Sequence, residues 1–179
     1  YNTIDGYRAA ELKFSEIPAK ELCKNSDAYN ALLDTLYAGA FALSAESIGA
    51  MEVCFNMTLE YLKTREQFGK AIGSFQALQH RMVDIMIEIE QAKSAVMLAA
   101  GTYEADKNTK YKNISAAKNL VGRAGKLVAE ECIQLHGGIA MTWEYNLHNY
   151  AKRLVMIDHL MGDSLSLIHI SEPTRHSSI

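Results

Sequence analysis

Three short clusters in this 179-residue chain combine groups that could do chemistry. They are Arg65-Glu66-Gln67-Phe68-Gly69-Lys70, then Phe75-Gln76, then Gln134-Leu135-His136-Gly137-Gly138. Each interrupts an otherwise helical, apolar pattern. Arginine presents a rigid fork of donors matched to phosphate oxygens. The amide of Gln76 can donate and accept. Phe68 and Phe75 offer flat apolar surface for a ring. Gly137 and Gly138 expose backbone that a ligand can approach closely, although paired glycines at a helix end also serve as a plain C-cap. Together these groups suit a large, flat, anionic ligand.

The elements that must position them are long helices. No proline occurs between Pro18 and Pro173, and proline breaks helix interiors. Asn25-Ser26-Asp27 supplies N-caps for a first helix running to about Arg65. Its apolar positions are Leu32, Leu36, Leu43, Ile48, Met51, Phe55, Leu59 and Leu62. Gly69 and Gly73 punctuate a loop, and Ser74 is a candidate cap. Phe75, Leu78, Met82, Ile85, Ile89, Ala92, Val96, Ala99 and Tyr103 then alternate steps of three and four, a stripe for antiparallel bundle packing. Lys107 to Asn113 reads as a polar loop. A third helix is expected over about Ile114 to Leu135, with Ala117, Leu120, Ala124, Leu127, Val128 and Leu135 inward and Gly137-Gly138 as its stop. A fourth starts near Trp143 with Thr142 as cap, burying Leu147, Tyr150, Leu154, Ile157 and Met161. The fold expected is mainly α, an up-down-up-down four-helix bundle. Before it, Ile4-Asp5-Gly6 reads as a turn and Ala10 to Phe14 alternates like a strand.

The net charge of −3 gives no basic field for nucleic acid. Three cysteines, Cys23, Cys54 and Cys132, are too few and too scattered for a disulfide framework or zinc site. They fit a reducing compartment and read as buried structural thiols. No uninterrupted apolar run reaches the roughly 18 residues of a membrane span. The histidines show no metal spacing. Lys152-Arg153 reads as a solvated face or subunit contact, and Glu88, Glu90, Glu130 and Glu131 as exposed helix acids.

The stretch Arg65 to Gln76, REQFGKAIGSFQ, resembles the RxQFGxxIxxFQ of the acyl-CoA dehydrogenases, which are FAD enzymes. QLHGG followed by Thr142-Trp143-Glu144-Tyr145 resembles their QxxGGxGxxxEY. The likeness runs from Tyr1 to about Ser164. It implies that residues 1–26 are the end of the family's middle β-barrel and 27–164 its carboxy-terminal helical bundle. It implies α,β-dehydrogenation of an acyl-CoA thioester, with electrons passing to a flavoprotein acceptor. Arg65, Gln67, Phe68, Phe75, Gln76, Gln134, His136, Gly137 and Gly138 would contact FAD, with Arg65 and Gln76 reaching the diphosphate and adenosine side of a cofactor held by a neighbouring subunit and Gln134 to Gly138 lining the same cofactor's adenosine end. A homo-tetramer, or a hetero-oligomer with a paralogous subunit, would follow, in the bacterial cytoplasm or the mitochondrial matrix. Residues 165–179 fall outside the pattern. Leu165 to Arg175 resembles a translated sequencing adapter, the alternative being a short disordered natural tail.

The proton-abstracting carboxylate is where the chain departs from the family. Counting from Gln134–Gly138, the usual Glu falls at Met161; the other position one branch uses falls at Gly39. Neither can take a proton. Two readings compete: Asp158 or Asp163 substitutes as the base, or the chain is a subunit that has lost it. The rivals to the dehydrogenase reading are a non-catalytic helical assembly module and a related flavin oxidase or monooxygenase.

Overall fold

The computed structural model describes residues 1–21, 23 and 25–163. Four helices dominate: α1 (Asn25–Thr64), α2 (Gln76–Gly101), α3 (Lys107–His136) and α4 (Leu147–His159). Between α1 and α2 lies a two-stranded antiparallel hairpin, β1 (Glu66–Gln67) and β2 (Lys70–Ala71), followed by a 3-10 turn at Ile72–Ser74. A second 3-10 turn, Gly137–Met141, leads from α3 toward α4. The up-down-up-down bundle expected from the sequence is the observed architecture.

α1 and α3 pack on each other and on both remaining helices. Small residues of α3, among them Ala117, Ala124 and Gly125, are buried in this packing. Gly125 lies where a Cβ would stand 3.5 Å from both Leu154 Cδ2 on α4 and Ser47 Oγ on α1. The α2 stripe behaves as its spacing requires: Met82, Ile85, Ile89, Ala92 and Ala99 are buried. All but Ala99 join Met51 and Cys54 of α1, Val121, Val128 and Cys132 of α3, and Leu147 and Leu154 of α4 in one core. Asp27–Thr64 is long and apolar enough, by length and composition alone, to cross a membrane. Here Met51, Cys54 and Leu62 of that helix pack into the bundle core.

Cys54 and Cys132 are buried free thiols. Burial pushes the former up to about 12 and the latter to about 11, leaving them unreactive. Cys23, expected to be buried, is exposed.

Several local expectations are corrected. Ala10 to Phe14 forms no strand; Leu12 and Phe14 lie exposed, with no partner strand among the described residues to pair their backbone. Lys107 to Asn113 is helix, not loop. Asp106 caps it by accepting from the Asn108 and Thr109 amides, each at 3.1 Å, which outweighs the polar composition. α4 begins at Leu147, because Thr142 donates to the Ile139 carbonyl at 2.8 Å and closes the 3-10 turn instead of capping a helix. Ser74 likewise donates to Ala71 O, and α2 starts after Phe75. Leu32, Leu36, Leu127, Tyr150 and Met161 are exposed rather than inward. The capping side chains of Asn25 and Ser26, and the tail from residue 165, lie outside the described residues.

The Ile4-Asp5-Gly6 turn is present, with Gly6 N–H donating to Thr3 O at 3.0 Å. It is tied to the bundle by Arg153, which is neither a solvated residue nor free for a subunit contact. Its guanidinium grips Glu46 of α1 bidentately at 2.6 and 2.8 Å, reaches Asp5 at 2.8 Å, and lies over the Tyr7 ring. Glu131 pairs with Arg81 at 2.6 Å instead of standing free.

Candidate functional site

The hairpin after α1 is short because its turn is two residues long. Phe68 (φ +54) and Gly69 (φ +75) both adopt left-handed conformations, the signature of a type I′ turn. Glycine does so freely; for phenylalanine it costs about 1–2 kcal/mol. The result projects Phe68 into solvent, 91% exposed, edge-on to Phe75 at 6.2 Å. Lys70 Nζ sits over the Phe75 ring at 4.2 Å. The segment folds back tightly on α1: a Cβ at Gly73 would stand 2.9 Å from the Leu62 carbonyl oxygen, so only glycine allows the approach. Arg65 and Gln76 flank this structure, both exposed, and Arg65 makes no ion pair among the described residues. Gln67 turns its amide onto the Glu66 carbonyl at 2.7 Å.

The third cluster lies at the same end of the bundle. Tyr61, one turn before Arg65, stacks on the His136 ring with centroids 4.5 Å apart. The end of α1 and the end of α3 are therefore in contact. Gln134, Gly137 and Gly138 are exposed there, and no atom of the described residues lies within 4 Å of a Cβ built on either glycine. His136 is different. It is 4% exposed, with Nδ1 2.8 Å from the Cys132 carbonyl and Nε2 3.0 Å from the Tyr145 hydroxyl. A carbonyl only accepts, so Nδ1 carries the proton and the Tyr145 O–H donates to Nε2. Burial holds the imidazole below its usual value and keeps it neutral. Both ring nitrogens of His136 are thus engaged within the bundle, at the residue just before the diglycine turn.

The second set of residues gathers at the end of α4. Past Leu160 the chain turns through Met161 (φ +56) and Gly162 (φ +101). The Met161 side chain lies on Gly39 of α1: a Cβ there would be 3.3 Å from Met161 Cγ. The two positions at which the resemblance places a base are thus adjacent in space. Lys118 of α3 was not among the residues the sequence pointed to. It is fully buried, and its ammonium donates to the carbonyls of Ile157 at 2.8 Å, Asp158 at 3.1 Å and Gly162 at 3.0 Å. Desolvation lowers its pKa, opposed by the charges of Asp158 and Asp163. Asp158 Oδ1 is buried with no hydrogen-bond partner among the described residues. A signal for Lys118 existed: it falls among Ile114, Ala117, Val121 and Gly125, all buried, so it stands on the core stripe.

These features define a class: an antiparallel four-helix domain with one polar, open end and a closed, charge-stapled turn at α4. Residues 29–164 match the family described as "Acyl-CoA dehydrogenase, C-terminal domain", and the chain belongs to the acyl-CoA dehydrogenase family. Among curated proteins it is 47% identical over 114 residues to "Acyl-CoA dehydrogenase IpdE2" of Mycobacterium tuberculosis, covering 64% of this chain and 34% of that protein. Among solved structures, "Tcur3481-Tcur3483 steroid ACAD G363A variant" superposes with a TM-score of 0.74 at 31% identity, covering 78% of this chain and 38% of the other. "PigA with FAD and proline" does so with a TM-score of 0.72 at 27% identity, covering 77% and 36%. The chain spans about a third of the length of the curated relatives it matches.

Proposed function

We propose that this chain is the carboxy-terminal bundle of an FAD-dependent protein acting on acyl-CoA thioesters, and that it brings cofactor contacts but no base of its own. The carrying observation is the apposition of Gly39 and Met161, with Met161 Cγ 3.3 Å from a Cβ at Gly39. Two positions far apart in sequence meet at one point, which supports the register of the resemblance. A hydrogen and a thioether occupy them, and neither accepts a proton from carbon at neutral pH.

At the other end, Arg65, Gln76, Gln134 and the diglycine backbone would hold the diphosphate and adenosine side of FAD. Exposed donors beside glycines with open space around them fit an anionic dinucleotide. When bound, FAD supplies the hydride acceptor; the residues here bind and orient it. Arg65 lies 26 residues beyond Gly39, just past the end of α1, roughly 40 Å away at 1.5 Å per residue. A small-molecule pocket of ~300–1,000 Å³ does not bridge that span. The two ends therefore serve different active sites, which supports cofactor sharing between subunits, homomeric or paralogous. Among the solved relatives, PigA is seen with FAD.

The test is Met161→Glu in the full-length protein with its partner subunits, assayed on a panel of acyl-CoA thioesters with an artificial electron acceptor. A positioned general base contributes about 10²–10⁴-fold. Turnover attributable to this subunit should rise by at least ~100-fold from background. A second reading is favoured by the buried Asp158 Oδ1, unpartnered among the described residues: this carboxylate, with Asp163 beside it, replaces the missing base. If Asp158→Asn or Asp163→Asn abolishes turnover of the unmodified protein while FAD stays bound, that reading replaces the first.

A further inference from the structure

We infer that Lys118 is a positioning residue that fixes the α4 terminal turn and so sets what occupies the point where Gly39 and residue 161 meet. A buried lysine is unfavourable unless its charge and its donors are satisfied. Here the count closes: an ammonium has three N–H groups, and three carbonyl oxygens lie at 2.8, 3.1 and 3.0 Å. Two of those carbonyls, Ile157 and Asp158, lie in the last turn of α4, where the helix dipole favours a cation, and Gly162 lies in the turn beyond it.

The arrangement of the acceptors carries the inference. Ile157 and Asp158 precede the left-handed turn, and Gly162 follows Met161 within it. One charge from α3 therefore brackets position 161 on both sides. Met161 at φ +56 is a conformation that a non-glycine residue holds only when its surroundings impose it. With the bracket in place, its side chain is laid on Gly39. Lys118 itself is 0% exposed, so it acts through the turn and touches no ligand.

The experiment uses the full-length protein labelled with 13C at the methionine methyls, the Met161 signal being assigned by its loss in Met161→Leu. Lys118→Met removes the charge while conserving an apolar, buried stem, and the methyl it adds is told from that of Met161 by the Lys118→Met, Met161→Leu double variant. The Met161 methyl should shift and broaden, while those of Met51 and Met82, buried in the bundle core, stay in place. Lys118→Arg, which restores donors, should return part of the signal. An unmoved Met161 methyl, or equal movement at Met51 and Met82, overturns the role. If Lys118→Met does not fold, titration of the unmodified protein decides. The charged groups facing Lys118 are Asp158 and Asp163. As pH rises, Lys118 loses a donor, and the Met161 methyl should move with the same midpoint as Lys118 Cε, read in a second sample labelled with 13C at lysine Cε; a flat Met161 response overturns the proposal. This inference rests on reading position 161 as the family's base position, yet the two fail separately. A silent Met161→Glu sinks that reading alone, and a rigid Met161 methyl sinks only the positioning role.

Discussion

The two ends of this bundle are built on opposite plans. At the hairpin end, Arg65, Gln76 and Gln134 are exposed, and a phenylalanine in a left-handed turn stands almost wholly in solvent. At the α4 end, the polar groups are turned inward: Lys118 directs all three donors onto backbone, and an apolar side chain closes over Gly39. Under the function proposed above, the end with exposed donors is the one that meets the ligand. An end that satisfies every donor is holding a shape. The same left-handed geometry appears in both, at Phe68 and at Met161, but only the second is braced by a buried charge.

The contrast breaks most visibly at Arg65. If it meets a phosphate, Arg65→Ala removes charge-assisted hydrogen bonds worth about 1.5–3 kcal/mol. That is roughly a tenfold to hundredfold loss of FAD affinity in the full-length protein, read by flavin absorbance against free FAD. Size-exclusion should show unchanged assembly, because the side chain is exposed and forms no ion pair among the described residues. An unaltered flavin content with a broken assembly would make Arg65 an interface residue and erase the difference between the ends.

The helices were legible because their apolar stripes are long and regular; the α2 stripe placed Met82, Ile85, Ile89, Ala92 and Ala99 inward as found. The break between α1 and α2 was legible because polar residues and glycines stand out against such stripes, but it was read as a loop and the hairpin within it was not. What was not legible has a common cause. The start of α3 is decided by one capping carboxylate, Asp106, which outweighs a polar run that looks like a loop. The start of α4 is decided by whether Thr142 bonds forward or backward. Lys118 was hidden because a lysine on a helix is ordinarily solvated; its burial depends on α4 ending where three carbonyls converge. Arg153 was hidden because its partners, Asp5 and Glu46, are over a hundred residues away in sequence.

His136 sharpens the comparison, since it is a buried titratable group at the open end. Its folded-state pKa lies below the ordinary 6.5 because burial disfavours the imidazolium. Between that folded value and about 6.5 the unfolded chain binds a proton that the native protein refuses, so stability rises with pH across this window. The contribution is complete above about pH 7 and is lost as pH falls below about 6.5 through the folded value. Urea unfolding between about pH 5 and 8 should show this slope, and His136→Phe should flatten it while costing about 1–3 kcal/mol through its lost hydrogen bonds. A slope that survives the substitution would assign the effect to another group.

The smallest effect expected on the fold is the most informative about purpose. A two-residue type I′ turn prefers Asn-Gly, and this one is Phe-Gly. Phe68 contributes little packing: it is 91% exposed, and its contact with Phe75 is an edge-on pair in solvent. Asparagine tolerates the left-handed region without the cost borne by phenylalanine. Phe68→Asn should therefore leave thermal stability unchanged or raise it by up to about 1 kcal/mol. If the open end is a ligand platform, the same change should weaken FAD retention in the full-length protein, because the flat apolar surface is gone. Local rules are broken where function requires it. A variant both less stable and equally flavinated would show that Phe68 serves the hairpin itself, leaving the open end with donors but no aromatic surface of its own.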